Sequence, residues 1–169
     1  MKDLKIHRFS SQEKQTPFAP QWDYNIIEGQ IEDVDFSYIA NYLLQKQDEI
    51  LKLKPTHDGC TGLGLNTTTA RHANFNIFNF EDTEINKLKI NISSLHNVLL
   101  KHMGMADAIP YINLYTQCWY NVMTKGQQIS THIHDVTPTC YLGGHITVQC
   151  DDTYTGYTHS ALVPILDEG

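Results

Sequence analysis

The spacing of apolar residues changes near Pro110, and this change limits the folds that the chain can adopt. Before this proline, apolar residues recur every three or four positions in segments 33–54 and 82–104, as on one face of an α-helix. After it, they alternate with polar residues in segments 112–122 and 141–150, as in β-strands. Helices followed by strands predict an α+β fold, with the helices on one face of an antiparallel sheet or barrel.

Residues that commonly cap helices or form turns predict where some of these elements begin and end. Asp82 or Thr83 is placed to cap the second helix, and Gly104 is placed to end it. We interpret residues 1–30 as an arm that ends in a short strand, and residues 56–80 as a loop that enters a strand.

Composition and charge exclude several classes of protein. A chain of 169 residues with 41% hydrophobic and 18% charged residues fits a single globular domain. The net charge of −7 has the wrong sign for a surface that binds phosphate backbones, so we expect no nucleic-acid partner. No apolar run is long enough to span a bilayer and no signal peptide is recognised, so we expect no membrane association and a cytoplasmic location.

The most distinctive motif is the pair His132-x-His134, on a segment (129–134) that we predict to be a strand. Residues two apart on a strand point to the same side, so both imidazoles can converge on one point. Imidazole binds Fe(II), Zn and Cu, and two such ligands supply much of an open metal site. Asp135, a further candidate ligand, faces away unless the strand ends there. The alternative is a chance pair of histidines on a solvated strand.

The motif sits within a longer pattern that resembles two families with a double-stranded β-helix, or jelly-roll, fold. Five residues separate Gly126 from His132, a spacing similar to that of cupins and of 2-oxoglutarate/Fe(II) oxygenases. The wider order of motifs is similar to the 2-oxoglutarate/Fe(II) oxygenases of marine phages and bacteria: Trp119-Tyr120-Asn121-Val122, Lys125-Gly126, His132-x-His134 and Tyr141-Leu142-Gly143-Gly144-His145. The resemblance covers roughly residues 110–150 and, more loosely, the stretch from Thr69 to Phe78.

This resemblance implies one oxygenase-like domain over residues 1–169. Residues 1–110 would form the arm and two helices packed on one face, and residues 111–169 the first part of the jelly-roll core. It also implies Fe(II) as cofactor, with 2-oxoglutarate and O₂ as co-substrates for the hydroxylation of an unknown substrate. His132 matches the first metal ligand of the family, and His134 takes the position of the carboxylate in the wider superfamily. Asn121 matches an asparagine that binds 2-oxoglutarate in some relatives.

Three other residues are candidates for the same site. His145 would be a third histidine ligand, or alternatively a hydrogen-bonded histidine within the barrel. Tyr115 and Trp119 share one face of their predicted strand and would line a co-substrate pocket, or alternatively pack inside the barrel.

The chain departs from the family pattern after His145. It has no Arg or Lys there to pair with the far carboxylate of 2-oxoglutarate, and His159 is the one late histidine. Gly169 stands where the second half of a jelly roll would begin, so the chain is a fragment, completes its site unusually or has lost the activity. The open alternatives are a cupin-like metal protein without 2-oxoglutarate and a non-catalytic jelly-roll module for binding or phage structure. The oligomeric state is also open, with a homodimer among the alternatives.

Overall fold

The computed structural model describes residues 1–11, 16–19, 21–132, 140, 142–151 and 155–156. In this part of the chain, two strands and two α-helices follow one another: β1 (Lys2–Ser10), β2 (Asp23–Gln30), α1 (Phe36–Leu51) and α2 (Thr83–His102). Short 3₁₀ turns occupy Thr69–Arg71, Ile77–Asn79 and Ala106–Tyr111. Neither described helix is long and apolar enough to cross a membrane.

Strands β1 and β2 pair antiparallel, with Ile6 opposite Ile27 and Phe9 opposite Tyr24. The predicted short strand at the end of the N-terminal arm is therefore confirmed as β2. Strand β1 was not predicted, because its polar and charged residues give no clear alternation. An exposed ion pair between Arg8 and Asp23 joins the two strands near the turn.

Helix α2 begins and ends at the residues that the sequence predicts. The Asp82 carboxylate accepts hydrogen bonds from the N–H groups of Glu84 and Ile85 (2.9 and 3.0 Å), which satisfies two unpaired donors of the first turn. Gly104 has a φ of +75°, and its N–H donates to the Lys101 carbonyl. The following residue, Met105, donates to the Leu100 carbonyl, which completes a Schellman motif.

Helix α1 is joined to α2 at their N-terminal ends. Asp35 caps α1 by accepting from the Tyr38 N–H, and its own N–H donates to the Glu84 carboxylate (2.8 Å). The Tyr38 hydroxyl in turn donates to the Asp82 carboxylate (2.6 Å). The capping residue of α2 is therefore also a contact between the helices, and the two ends hold each other in place.

The hydrophobic core lies between the two helices and the turn Ile77–Asn79. Its buried members are Val34, Ile39, Leu43, Ile77, Phe78, Ile85 and Leu88. Four residues that follow Pro110 pack against it: Cys118, Tyr120, Ile146 and Val148. The position of His96 beside Leu95 on an amphipathic helix predicts a surface residue, but this is wrong, because His96 is buried with 6% of its surface exposed.

The strands predicted after Pro110 do not form ladders in the described residues. Residues 112–132 and 142–151 contain no β-strand. The backbone of the first segment is bonded to a loop instead: Asn76 donates to the Thr116 carbonyl and accepts from the Cys118 N–H. The Ile77 N–H also donates to the Cys118 carbonyl (2.9 Å). These bonds occupy groups that a neighbouring strand would otherwise use.

The alternation is present only in part in the burial of the side chains, because Leu114 and Val122 are exposed and Trp119 is half-buried. Thr116, Cys118 and Tyr120 are half-buried, while Tyr115 and Gln117 are exposed. Both α-helices are confirmed, whereas the strand expected after the 56–80 loop is a 3₁₀ turn capped by Asn76. The jelly-roll core stays a prediction.

Replacing Asp82 with alanine is expected to lower the free energy of unfolding by about 1–2 kcal/mol, because it removes an N-cap and the acceptor for Tyr38. Partial burial acts to raise the pKa of Asp82, but hydrogen bonds from Tyr38, Ile85 and Glu84 bring it below its usual value. Since the unfolded carboxyl has the higher pKa, this stabilisation is present above about pH 4 and is lost as the pH falls through the folded-state pKa.

Urea denaturation at a series of pH values checks this prediction. The difference between the wild type and Asp82→Ala should shrink between about pH 4 and about pH 2. Asp48→Ala, at an exposed position within α1, is the control and should show little change. A difference that is independent of pH would contradict the role given to the ionised carboxylate.

Candidate functional site

His132 is half-buried, and its ring is oriented by its own backbone. The ring Nδ1 lies 2.8 Å from the Ser130 carbonyl oxygen. Because a carbonyl only accepts hydrogen bonds, Nδ1 carries the proton and the lone pair of the neutral ring lies on Nε2. Histidines that bind metals commonly donate their other ring nitrogen to a carbonyl in this way. The tautomer of His132 therefore suits metal coordination through Nε2.

The other predicted metal ligands are only partly placed. His134 and Asp135 lie outside the described residues, as does the late histidine His159. His145 is described and exposed, with Nε2 3.4 Å from the Thr147 hydroxyl oxygen. The described residues contain no group of three His, Cys, Asp or Glu side chains that could hold a metal ion. The second and third ligands therefore stay predictions.

Three of the described candidate residues, Tyr115, Asn121 and His145, are exposed. Ile146 and Val148 pack towards the core, so the alternating residues His145 and Thr147 point the other way. In segment 112–122, Tyr115 and Asn121 are exposed, whereas Cys118, Trp119 and Tyr120 are half-buried.

The face that packs towards the helices is unsuited to acid–base or nucleophilic chemistry. Burial raises the pKa of the Cys118 thiol to about 11, so it stays protonated at neutral pH. Burial also raises the pKa of Tyr120, whose hydroxyl donates to the Leu43 carbonyl (2.8 Å). These two residues therefore anchor the segment to α1 and the core.

Asn121 is held by a neighbouring loop. The Thr69 hydroxyl donates to the Asn121 side-chain oxygen, and the Thr68 hydroxyl donates to the Tyr120 carbonyl. With its oxygen accepting from Thr69, the Asn121 amide presents its NH₂ group as a donor. An amide donor of this kind can bind a carboxylate oxygen.

The two predicted aromatic residues have different surroundings. Trp119 is half-buried, and its ring lies 5.4 Å from that of His72, with an angle of 48° between the planes. His72 also contacts His57 edge to face (5.0 Å), and its Nδ1 donates to the Thr69 carbonyl. Tyr115 is 93% exposed, so it lines no enclosed pocket formed by the described residues.

Sequence reasoning missed the loop that supports His132. The N–H of Ser130 donates to the Thr61 carbonyl (2.8 Å), which brings the loop 58–64 beneath the histidine segment. The sequence signal that could have identified this loop is its repeated glycines, Gly59, Gly62 and Gly64. They indicate unusual backbone conformations but do not show what the loop contacts.

Two surface clefts lie elsewhere in the described part of the chain. One, of about 380 Å³, is bordered by α1 and by Phe75 and Phe80, and the other, of about 290 Å³, lies at Phe36 and Val148. None of the predicted site residues lines either cleft. No protein-family model, curated protein or solved structure matches the chain.

Proposed function

We propose that this chain is a 2-oxoglutarate- and Fe(II)-dependent oxygenase that hydroxylates a C–H bond of an organic substrate. The observation that carries the proposal is the His132 ring, whose Nδ1 donates to the Ser130 carbonyl; this places the lone pair of the neutral ring on Nε2, the atom that would coordinate a metal. Imidazole is a ligand that suits Fe(II), and His134 follows at the spacing that places a second imidazole on the same side.

His132 and His134 would hold the metal, with Asp135 and His145 as candidates for the remaining ligand. Bound Fe(II), with 2-oxoglutarate and O₂, supplies the oxidation of the C–H bond. The residues of the chain would hold the metal in place. Because only two or three protein groups would bind it, coordination positions would stay open for the co-substrates, whereas a structural site fills these positions with protein ligands.

Asn121 would orient the co-substrate. Its side-chain oxygen accepts from Thr69, so its NH₂ group would be the donor to an acceptor such as a carboxylate. Trp119, fixed against His72, would form an aromatic wall beside it. Tyr115 is too exposed in the described residues to contribute unless a further segment or the substrate covers it.

A cupin-like metal protein without 2-oxoglutarate is the second candidate function. The observation that favours it is the histidine at position 134, where the wider oxygenase superfamily has a carboxylate ligand. A neutral histidine there would neutralise less of the charge of a divalent metal than a carboxylate does. Such a protein would bind the metal but show no dependence on the keto-acid.

Anaerobic titration of the purified chain with Fe(II), and then with 2-oxoglutarate, tests the proposal. We expect a visible charge-transfer band from the chelated keto-acid in the wild type and its loss in His132→Ala, which removes a ligand. His102→Ala, an exposed histidine at the end of α2, is the matched control and should retain the band.

The other outcomes separate the alternatives. Fe(II) binding without the band would favour the cupin-like function. Retention of tight Fe(II) binding by His132→Ala would contradict the metal assignment. Failure of the wild type to bind Fe(II) would leave His132-x-His134 incidental and favour a non-catalytic module.

A further inference from the structure

The loop 58–64 is closed by a single carboxylate. Asp58 accepts hydrogen bonds from the backbone N–H groups of Cys60, Gly62 and Gly64, at 3.0, 3.2 and 3.2 Å. Its carbonyl accepts from both the N–H and the hydroxyl of Thr61 (3.2 and 2.8 Å). These bonds draw the backbone of the loop around one side chain and fix its path.

The backbone of this loop is in a conformation that few residues adopt. Gly59, Gly62 and Gly64 have φ values of +64°, +76° and +81°, and the non-glycine residue Cys60 has a φ of +62°. Left-handed conformations of this kind are readily adopted by glycine and are disfavoured for other residues. The bonds to Asp58 hold the loop in this shape.

One residue links this loop to His132. The Ser130 N–H donates to the Thr61 carbonyl, and the Ser130 carbonyl accepts from the His132 ring. A Cβ atom on Gly62 would lie 2.9 Å from the Ser130 hydroxyl oxygen, closer than such atoms approach. With alanine at position 62 the Ser130 side chain would have to move, so glycine accommodates this side chain as well as the backbone conformation.

We propose that the loop 58–64 positions His132 for metal binding, with Asp58 and Gly62 as positioning residues. The inference rests on the proposed function for its effect on the metal. Because Ser130 bonds the loop through its N–H and the imidazole through its carbonyl, a shift of the loop is transmitted to the ring that carries the ligand atom. Residues that orient a metal ligand in this way commonly change metal affinity when they are altered.

The two glycines offer a matched pair of variants. Gly62→Ala and Gly64→Ala place a Cβ atom on backbones of similar φ, but the Cβ at position 64 has no neighbour within 4 Å. We expect Gly62→Ala to weaken Fe(II) binding by about 10-fold or more relative to Gly64→Ala. Combining Gly62→Ala with Ser130→Ala removes the crowded hydroxyl and should restore the affinity to that of Gly64→Ala.

Hydrogen exchange of the Ser130 amide provides a measurement that needs no metal. This amide should exchange faster in Gly62→Ala than in Gly64→Ala, since the bond to the Thr61 carbonyl is the one disturbed. If Gly62→Ala fails to fold in a thermal melt, Asp58→Asn replaces it, because the amide keeps one acceptor oxygen and should change both measurements in the same direction.

The outcomes distinguish this inference from the proposed function. Equal Fe(II) affinities and equal Ser130 exchange in the two glycine variants would overturn the inference. A difference in exchange without a difference in affinity would also overturn it, because the loop would then hold Ser130 without affecting the metal. Absence of Fe(II) binding in the wild type would overturn the proposed function, while the exchange difference would still support the loop as the support of this segment.

Discussion

Arg71→Ala is expected to lower the free energy of unfolding by about 3–5 kcal/mol, one of the two largest effects of a single substitution that we anticipate. Arg71 is only 6% exposed, and its guanidinium donates to three backbone carbonyls, those of Leu53 (3.0 Å), Leu65 and Thr67 (2.9 Å). Each is an acceptor that loses its donor in the variant, and an unsatisfied buried polar group costs about 1–3 kcal/mol.

The other arginine of the chain provides the control. Arg8 lies on the surface of the hairpin and pairs with Asp23, with 2.6 Å between the charged atoms. Because exposed ion pairs gain little and are screened by salt, Arg8→Ala should leave the stability nearly unchanged. Arg71→Lys should resemble Arg71→Ala, since an ammonium group cannot span three carbonyls as the guanidinium does.

Urea denaturation followed by circular dichroism measures these three variants. Equal stability losses in Arg71→Ala and Arg8→Ala would contradict the structural role of Arg71.

Thr68 and Thr69, which bond the Tyr120–Asn121 segment, lie next to Arg71. A loss of order around Arg71 should therefore also weaken the binding of 2-oxoglutarate that we propose for Asn121.

The helices could be predicted from the sequence because their signals are local. Asp82 and Gly104 mark the ends of α2 through bonds to residues two to four positions away. The apolar spacing identifies the face of each helix that becomes buried. It did not identify His96, because a histidine beside apolar neighbours is compatible with either a buried or an exposed position.

The extended segments could be predicted only in part, because their partners are distant in sequence. Alternation in segment 112–122 separated half-buried from exposed residues only in part: Thr116, Cys118 and Tyr120 are half-buried as expected, but Leu114 and Val122 on the same predicted face are exposed. It could not show that Asn76, about forty residues earlier, would take the bonds of Thr116 and Cys118. Segment 112–122 is therefore extended but bonded to a loop, where its alternating pattern predicted a neighbouring strand.

The candidate site, too, could be predicted from the sequence only where its features are local. The spacing of His132 and His134 is visible in the sequence, whereas the orientation of the His132 ring depends on Ser130 and, through it, on Thr61. The glycines of loop 58–64 indicate an unusual turn, but no local sequence signal indicates which segment of the chain contacts this loop. The residue type of the proposed ligand is therefore visible in the sequence, whereas the residues that orient it depend on the fold.

Ile85→Ala should destabilise the protein by about 2–5 kcal/mol. Ile85 is fully buried on α2, in the core cluster that also contains Ile39 and Leu43 of α1. Removing three carbon atoms there leaves a cavity that close-packed neighbours fill only in part. The higher helix propensity of alanine offsets only a few tenths of a kcal/mol.

The same substitution at Ile90 separates burial from helix propensity. Ile90 lies on the same helix with 65% of its surface exposed, so Ile90→Ala should change the stability by less than about 0.5 kcal/mol. Both variants alter propensity equally, so the difference between them measures the packing of Ile85. Urea denaturation with equal m-values would confirm that both fold to the same compact state. Similar losses for the two variants would mean that α2 does not bury the face that contains Ile85.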